Sequence, residues 1–321
     1  MSNFRSRIDP KPPLNRKSRE NLERKLGPAC WRGRGSGQKG LASQRNVFTL
    51  QQIKAATNNC DESLKIGEKE NLGVLLDGTI VAIKRLSSES KQGTREFTNE
   101  IGIMLSLQHP NIVKLHGLCE EDDQMLLIYE YMENSNLAHA LFAENEDQEN
   151  CQLGLDWKTR KRICIGIIIH TDIKAANVLL DKYLNPKISD FGFARVTEEG
   201  KIHITGSITG TYGYMAPEYD MHGYLTDKAD VYSFGIVILE IVSGARSTQE
   251  EPFSLVDWVH LLKEEDSLME LVDPRLGKDF KKEEVILMID VALLCTNSSP
   301  SLRPSMSSVV SMLEGREKST K

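Results

Sequence analysis

The apolar positions become periodic only from Phe48 onward, and the part of the chain that follows alternates between strand and helix patterns. Apolar side chains spaced at i, i+4, i+7 and i+8 predict one amphipathic helix, formed by Phe97, Ile101, Met104 and Leu105. Runs of β-branched or apolar residues predict three strands, at residues 80–83, 112–115 and 125–129. A polar turn over residues 120–124 leads into the last strand, and a short helix over residues 49–57 precedes the first. This part is therefore predicted to be a small sheet with one main helix.

From Asn134 onward the pattern becomes helical. The predicted helices each carry an apolar face and cover residues 137–142, 157–165, 230–242, 283–295 and 306–313. Gly244 and Gly315 follow two of these segments and are typical helix stops. The chain as a whole is predicted to be an α+β protein, with a small β-rich lobe and a larger α-rich lobe that meet near residues 132–136.

Length and composition exclude several classes of protein. The chain has 321 residues, of which 40% are hydrophobic and 27% charged, values typical of a soluble globular protein with one large domain or two lobes. No apolar run reaches the roughly 18 residues that span a bilayer, and no secretory signal is expected at the first residues. The six cysteines show no CxxC spacing, which favours reduced thiols over a zinc site or a disulfide framework.

Charge divides the chain into a basic leader and an acidic remainder. Residues 1–40 hold 11 Lys and Arg against three acidic residues, a net charge of +8, whereas the other 281 residues carry a net charge of −14. We interpret residues 1–46 as a solvated, disordered leader, because neither an aromatic series nor an apolar face accompanies the charge. Peripheral contact of this leader with anionic lipid stays open as an alternative, while nucleic acid is not an expected partner.

Four short motifs occur in one order along the chain. They are Val81-Ala82-Ile83-Lys84, the run that begins His170-Thr171-Asp172 and ends at Leu180, Ser189-Asp190-Phe191-Gly192, and Met215-Ala216-Pro217-Glu218. With these motifs in this order, the chain resembles a eukaryotic protein kinase from about residue 48 to residue 315. Residues 48–59 and 210–219 look more narrowly like the cytoplasmic kinase domain of plant leucine-rich-repeat receptor-like kinases.

The resemblance implies the bilobal protein-kinase fold behind a juxta-kinase segment at residues 47–62. The kinase domain would cover residues 63–315, with an N-lobe at 63–132, a C-lobe at 133–315 and a tail at 316–321. The implied activity is transfer of the γ-phosphate of ATP to Ser or Thr hydroxyls of proteins in signal transduction, with ATP and Mg2+ as cofactors. Implied partners are protein substrates or receptor kinases, in the cytoplasm or at the inner face of the plasma membrane.

The same resemblance assigns catalytic roles to four residues. Lys84 would pair with the α- and β-phosphates, and Glu100 on the following helix would hold it, because Glu100 lies one residue before Ile101 of the apolar stripe and points sideways toward the cleft. An ordinary surface ion pair is the alternative for these two residues. Asp172 would accept the proton of the substrate hydroxyl. Lys174 resembles the lysine that meets the γ-phosphate in serine/threonine kinases.

Cofactor-binding residues also follow from the resemblance. Asn177 and Asp190 would hold two magnesium ions through hard oxygen ligands. Ile66 and Gly67 would start the phosphate loop, and Ala82 and Leu179 would lie on the two faces of adenine. Tyr129 would be the gatekeeper, and Glu130 to Met132 would form the hinge that binds the base. Farther along the chain, Glu218 is expected to form a structural ion pair with Arg303.

The sequence departs from the family pattern at three places. The phosphate loop lacks its second and third glycines, is roughly four residues short and carries Glu68 and Glu70 near the expected phosphate position, so reduced ATP affinity is expected. Thr171 replaces the arginine of His-Arg-Asp, a change that concerns regulation more than chemistry. The helix before His170 is roughly fourteen residues, or about 21 Å, short, which is expected to expose apolar surface and to leave Asp172 poorly supported.

Three interpretations follow from this mixture. The retained charged residues favour an active serine/threonine kinase, whereas the altered phosphate loop and shortened helix favour a pseudokinase that acts as a scaffold or binding module. A marginally folded product is the third interpretation. The two internal gaps fit a skipped exon or a degenerate copy equally well, and the sequence leaves both open.

Overall fold

The computed structural model describes residues 47–106, 109–142, 154–167, 173–192, 194–196, 202–204, 211, 213–222, 226–247 and 254–316. Four antiparallel strands form the sheet of the first lobe, in the order β1-β2-β4-β3: β1 Glu70–Val74, β2 Ile80–Leu86, β3 Leu115–Glu121 and β4 Gln124–Glu130. Helix α2, Lys91–Ser106, contains the stripe that the sequence predicted. The leader at residues 1–46 and the predicted base Asp172 lie outside the described residues.

Short bridges occupy both edges of this sheet. At the β1 edge, Lys65 forms an isolated antiparallel bridge with Asn71. At the β3 edge, Val47 forms a parallel bridge with Leu118, and the Phe48 amide donates a hydrogen bond of 2.8 Å to the Leu118 carbonyl. Open strand edges invite pairing with other chains, so these bridges shield the sheet.

The predicted strand at residues 112–115 is wrong in its position. Leu115 begins β3, whereas the residues before it pair with the second lobe: the Val113 amide donates to the Ile188 carbonyl at 3.0 Å, and the Ile188 amide donates to the Asn111 carbonyl at 2.7 Å. The apolar run at 112–115 is therefore divided between two partners. It links the lobes instead of extending the sheet.

Helix α1, Leu50–Ala56, covers the outer face of the sheet. A capping box starts it, in which the Gln52 amide donates to Thr49 Oγ1 and the Thr49 amide donates to Gln52 Oε1. Ile53 of this helix is 1% exposed and belongs to a cluster with the outward-facing sheet residues Val81, Ile83, Cys119, Leu126 and Ile128. The juxta-kinase segment is thus packed against the first lobe.

The second lobe is mainly helical. Its helices are α3 Leu137–Phe142, α4 Trp157–Gly166, α5 Pro217–His222, α6 Asp227–Ser243, α7 Leu255–Glu264, α8 Lys282–Cys295 and α9 Met306–Leu313. Two antiparallel pairs of short strands accompany them: β5 Val178–Leu180 with β6 Pro186–Ile188, and β7 Ala194–Val196 with β8 Ile202–Ile204. The predicted bilobal α+β fold is confirmed, although α5, α7 and the short strands were not among the predicted elements.

One apolar core runs through both lobes. Leu127 of β4 and Phe97 of α2 share it with Phe191 and with Phe234 of α6. Helix α6 contributes most to it, since twelve of its residues are buried. The short helix α4 buries Ile163 and Cys164, and Ile167 just beyond its end is also buried. Within the described ranges, the expected apolar exposure is not seen on α4, and no helix is long and apolar enough to cross a membrane.

Candidate active site

Strand alternation turns Lys84 toward the cleft between the lobes. Val81 and Ile83 of β2 pack into the outer cluster, so Ala82 and Lys84 face the opposite side. The Lys84 ammonium lies 3.3 and 3.2 Å from the two carboxylate oxygens of Glu100 and 2.8 Å from Asp190 Oδ1. A strand, a helix and a loop of the second lobe therefore meet at one ammonium group.

Burial and charge act in opposite directions on this group. Burial disfavours the Lys84 ammonium, but the Glu100 and Asp190 carboxylates outweigh that penalty and raise the pKa of Lys84. Glu100 is 1% exposed, so the ion pair is far from the solvent-exposed surface pair that was the alternative interpretation. The Lys84 side chain therefore stays positively charged at neutral pH, as a partner for an anionic phosphate must be.

Asp190 and Asn177 are linked through the residue between their segments. The Ser189 amide and its hydroxyl both donate to the Asn177 carbonyl, at 2.9 and 3.1 Å. Asp190 adopts a left-handed backbone conformation with φ of 65°, and Phe191 beside it is buried in the shared core. A carboxylate and an amide oxygen are hard ligands of the kind Mg2+ prefers, so these side chains fit that ion.

The neighbouring segments are tied to the site by hydrogen bonds. Asn99 Nδ2 of α2 donates to the Gly192 carbonyl at 3.1 Å, which holds the helix that carries Glu100 against the segment after Asp190. Lys174 Nζ donates to Thr211 Oγ1 at 3.0 Å. The predicted base Asp172 lies outside the part of the chain that the structure describes.

The predicted adenine residue Ala82 faces the same side of β2 as Lys84. Ala82 on β2 and Tyr129 on β4 are direct cross-strand partners, and half-buried Leu179 packs against the same core from the second lobe. Met132 is buried, and Glu130 Oε1 accepts from Lys187 Nζ at 2.6 Å. Glu130, the first residue of the predicted hinge, is thereby bonded to β6.

Tyr129 carries a buried hydroxyl with no hydrogen-bond partner among the described residues. The side chain is 8% exposed, and burial followed by the nearby Glu100 carboxylate raises the pKa of its phenol. The hydroxyl is therefore protonated at neutral pH and is a potential donor next to the Lys84–Glu100 pair.

The segment that replaces the phosphate loop is a closed turn. The Ile66 amide donates to the Glu70 carbonyl at 2.9 Å, and the Lys69 amide donates to Glu70 Oε2 at 3.2 Å. The Glu70 carboxylate covers Gly67 so closely that a Cβ at Gly67 would overlap it. Ile66 packs with Leu64 and Leu72. A turn capped by a carboxylate does not fit a phosphate cradle, because like charges repel.

Two charged residues of the second lobe, Arg303 and Glu240, are buried and have specific hydrogen-bond partners. Arg303 and Glu218 form the predicted pair, with both guanidinium–carboxylate bonds at 2.7 Å. Glu240 of α6 was not among the predicted residues; its carboxylate accepts from the Tyr214 hydroxyl at 2.7 and 2.8 Å and from the Ser247 amide at 2.9 Å. The signal for Glu240 was its position as the one acidic residue in the mainly apolar run at residues 231–242.

A second group that the sequence did not indicate is centred on Arg160 of α4. Arg160 Nη2 donates to Asp273 Oδ2 at 2.6 Å, and Arg160 Nη1 donates to the Ile241 carbonyl at 2.8 Å. Arg275 binds the same carboxylate of Asp273. The cluster joins α4 to the end of α6, and no motif in the sequence indicated it.

This arrangement of site and lobes defines a class of protein. The profile of the protein tyrosine and serine/threonine kinase family matches residues 73–313, well over half of the chain. The chain belongs to that family, whose members in general use ATP and Mg2+.

Relatives narrow the class further. The chain is 54% identical over 299 residues to a probable leucine-rich repeat receptor-like serine/threonine-protein kinase of Arabidopsis thaliana. The aligned region covers 86% of this chain and 29% of that relative. A second probable LRR receptor-like kinase of that plant is 56% identical over 302 residues, covering 87% and 29%. RFK1, also from Arabidopsis thaliana, is 50% identical over 291 residues, covering 84% and 28%. The chain thus spans less than a third of the length of these relatives.

Proposed function

We propose that this chain is a receptor-like protein serine/threonine kinase, which transfers the γ-phosphate of ATP to Ser or Thr hydroxyls of protein partners in signalling. The observation that carries the proposal is the Lys84 ammonium held between Glu100 and Asp190. Such a charged group neutralises and orients phosphate, which is most of what catalysis of phosphoryl transfer requires. Residues 63–315 would form the kinase domain, and the receptor-like relatives favour action on the cytoplasmic side of the plasma membrane.

Each predicted residue keeps a role in this proposal. Asn177 and Asp190 would hold Mg2+, while Lys84, supported by Glu100, would bind the α- and β-phosphates. Asp172 would accept the hydroxyl proton, with Lys174 meeting the γ-phosphate. The base would lie among residues Ile66, Gly67, Ala82, Tyr129, Glu130, Met132 and Leu179, of which Ala82 and Tyr129 are cross-strand partners.

A phosphorylation assay tests the proposal. The full chain is incubated with Mg2+, radiolabelled ATP and a generic basic protein, beside the variant Asp172→Asn and a matched control, Asp220→Asn, at an exposed acidic position of α5. Incorporation is expected with the wild type and the control and is expected to vanish with Asp172→Asn. Label transfer that survives Asp172→Asn would contradict the proposed mechanism.

A pseudokinase scaffold is the second candidate, and the closed turn under Glu70 favours it. A thermal-shift titration with Mg-ATP separates the two functions, because a ligand at about 100 times its dissociation constant stabilises a protein by about 2.7 kcal/mol. No shift together with no incorporation supports the scaffold. The variant Glu68→Gln/Glu70→Gln removes two negative charges and is expected to enlarge any shift.

A further inference from the structure

Helix α2 contacts the segment that follows Asp190 at a point beyond the Lys84 ion pairs. Gly192 lies two residues after Asp190 and is buried. A Cβ at Gly192 would lie 3.2 Å from Glu96 Cγ and 3.3 Å from Glu96 Cβ, so a glycine favours this close approach of the helix. Helix α2 also lies against β7, the strand that follows Gly192. The helix that carries Glu100 is therefore docked directly on the start of this segment.

Asn99 supplies a polar contact at this docking point. Its Nδ2 donates to the Gly192 carbonyl at 3.1 Å, and the side chain is half buried. Asn99 lies three residues after Glu96, a spacing that places both side chains on one face of α2, and it directly precedes Glu100. A displacement of α2 that broke the bond from Asn99 would move Glu100 as well, because neighbouring residues of a helix move together as a rigid element.

The link through Lys84 is the one that substrate binding would change. The Lys84 ammonium lies 2.8 Å from Asp190 Oδ1 and 3.2 Å from Glu100 Oε2, so it connects α2 to the same segment. Under the proposed function, however, phosphate binds Lys84 and Mg2+ binds Asp190, and both groups gain new partners. The bond between Asn99 and the Gly192 carbonyl uses neither group. It therefore persists when the charged link is rearranged.

We propose that Asn99 is a positioning residue, which keeps Glu100 paired with Lys84 by tying α2 to the Gly192 carbonyl. Asn99 acts through Glu100, so its effect should disappear once Glu100 no longer carries the charge that pairs with Lys84. The consequence for phosphoryl transfer rests on the proposed function, whereas the pairing itself is measurable in the chain without nucleotide.

The reactivity of the Lys84 amine reports on the pairing. The experiment measures the rate of Lys84 acylation by acetic anhydride in the full chain at constant pH, by peptide mass spectrometry. Only the neutral amine reacts, and a paired carboxylate favours the charged form, so loss of the pair speeds acylation. We expect Asn99→Leu to raise the rate about three- to tenfold, the population shift expected from the loss of one hydrogen bond. Asn99→Ser removes the amide without adding apolar surface and should act in the same direction.

Two comparisons separate positioning from a local packing effect. Thr98→Ala is the matched control, because Thr98 is exposed and its hydroxyl donates to the Thr94 carbonyl within α2; its Lys84 rate should equal that of the wild type. Glu100→Gln should itself raise the Lys84 rate, and adding Asn99→Leu to it should raise the rate no further. The proposal is overturned by unchanged rates in both Asn99 variants, by an equal rise in Thr98→Ala, or by the same fold-increase with and without Glu100→Gln.

A phosphorylation assay on the same variants connects the pairing to function. With an active wild type, kcat is expected to fall in Asn99→Leu and to stay unchanged in Thr98→Ala. An unchanged kcat in Asn99→Leu would overturn the consequence for phosphoryl transfer. A wild type that incorporates no label would count against the proposed function alone, because the Lys84 rates measure the role of Asn99 independently of activity.

Discussion

Glu240 is a carboxylate in the buried, mainly apolar second half of α6, and its proton is coupled to folding. Burial raises the pKa of Glu240 to about 7 from an ordinary value of 4.5, although the Ser247 amide, the Tyr214 hydroxyl and Arg246 favour the charged form. The unfolded chain releases this proton at lower pH than the folded protein. The contribution of Glu240 to stability is therefore complete below pH 4.5 and is lost as the pH rises through about 7.

The variant Glu240→Gln tests this coupling. Glutamine keeps an oxygen acceptor for Ser247 but has no proton to lose, so its free energy of unfolding should not fall between pH 5 and pH 8 on account of this site. The wild type should lose roughly 2–3 kcal/mol more than the variant over that interval. Urea unfolding at both pH values measures the difference, with Glu265→Gln, at an exposed position, as control. Equal pH dependence in wild type and Glu240→Gln would contradict the assignment.

Arg303 is fully buried and makes a two-point ion pair with Glu218. Removing one partner leaves an uncompensated charge, so Glu218→Gln should destabilise the protein by about 3–5 kcal/mol. Lys263→Gln breaks the exposed pair with Asp290 and should cost less than about 1 kcal/mol. Chemical denaturation compares the two variants, and similar losses would refute the distinction.

At the scale of elements, Gly244 ends α6 in a left-handed conformation with φ of 65°. Gly244→Ala should cost about 1 kcal/mol for that backbone conformation. Its Cβ would also overlap the Asp273 carboxylate and Arg275, so displacement of Asp273 from buried Arg160 should add roughly 3 kcal/mol. Gly315→Ala is the matched control, because Gly315 has φ of 74° and open space at the Cβ position. Equal losses of unfolding free energy in the two variants would show that the Asp273 contact is unimportant.

The same elements show what the sequence could predict. The bounds of α3 and α9 agree with prediction, because apolar spacing defines both helices and Gly315 follows the second. The strand predicted at residues 112–115 was wrong in position, because an apolar run does not reveal its pairing partner. The partner of Val113 is Ile188 in the second lobe. Lys84 and Glu100 could be paired from a motif and a helix stripe. Tyr214 and Glu240 could not be paired, since their contact depends on how a loop docks against α6.

For the whole molecule, the continuous core has a thermodynamic consequence. Leu127 of the first lobe and Phe234 of the second are buried in the same cluster. The lobes should therefore unfold together, as one calorimetric transition whose van't Hoff and calorimetric enthalpies agree. Leu127→Ala should lower the stability of that single transition by about 2–5 kcal/mol without splitting it. Two resolved transitions, or a broad non-cooperative one, would contradict a shared core and support the marginally folded alternative.

The bridges at the two sheet edges bear on the tendency of the protein to self-associate through β-pairing. Val47 closes the β3 edge, while α1 covers the apolar face beside it. A shorter chain starting at Glu62 would present an unpaired strand next to bare Val81, Ile83 and Leu126, the combination that favours intermolecular β-pairing and aggregation. The segment at residues 47–62 is therefore expected to protect the first lobe against aggregation.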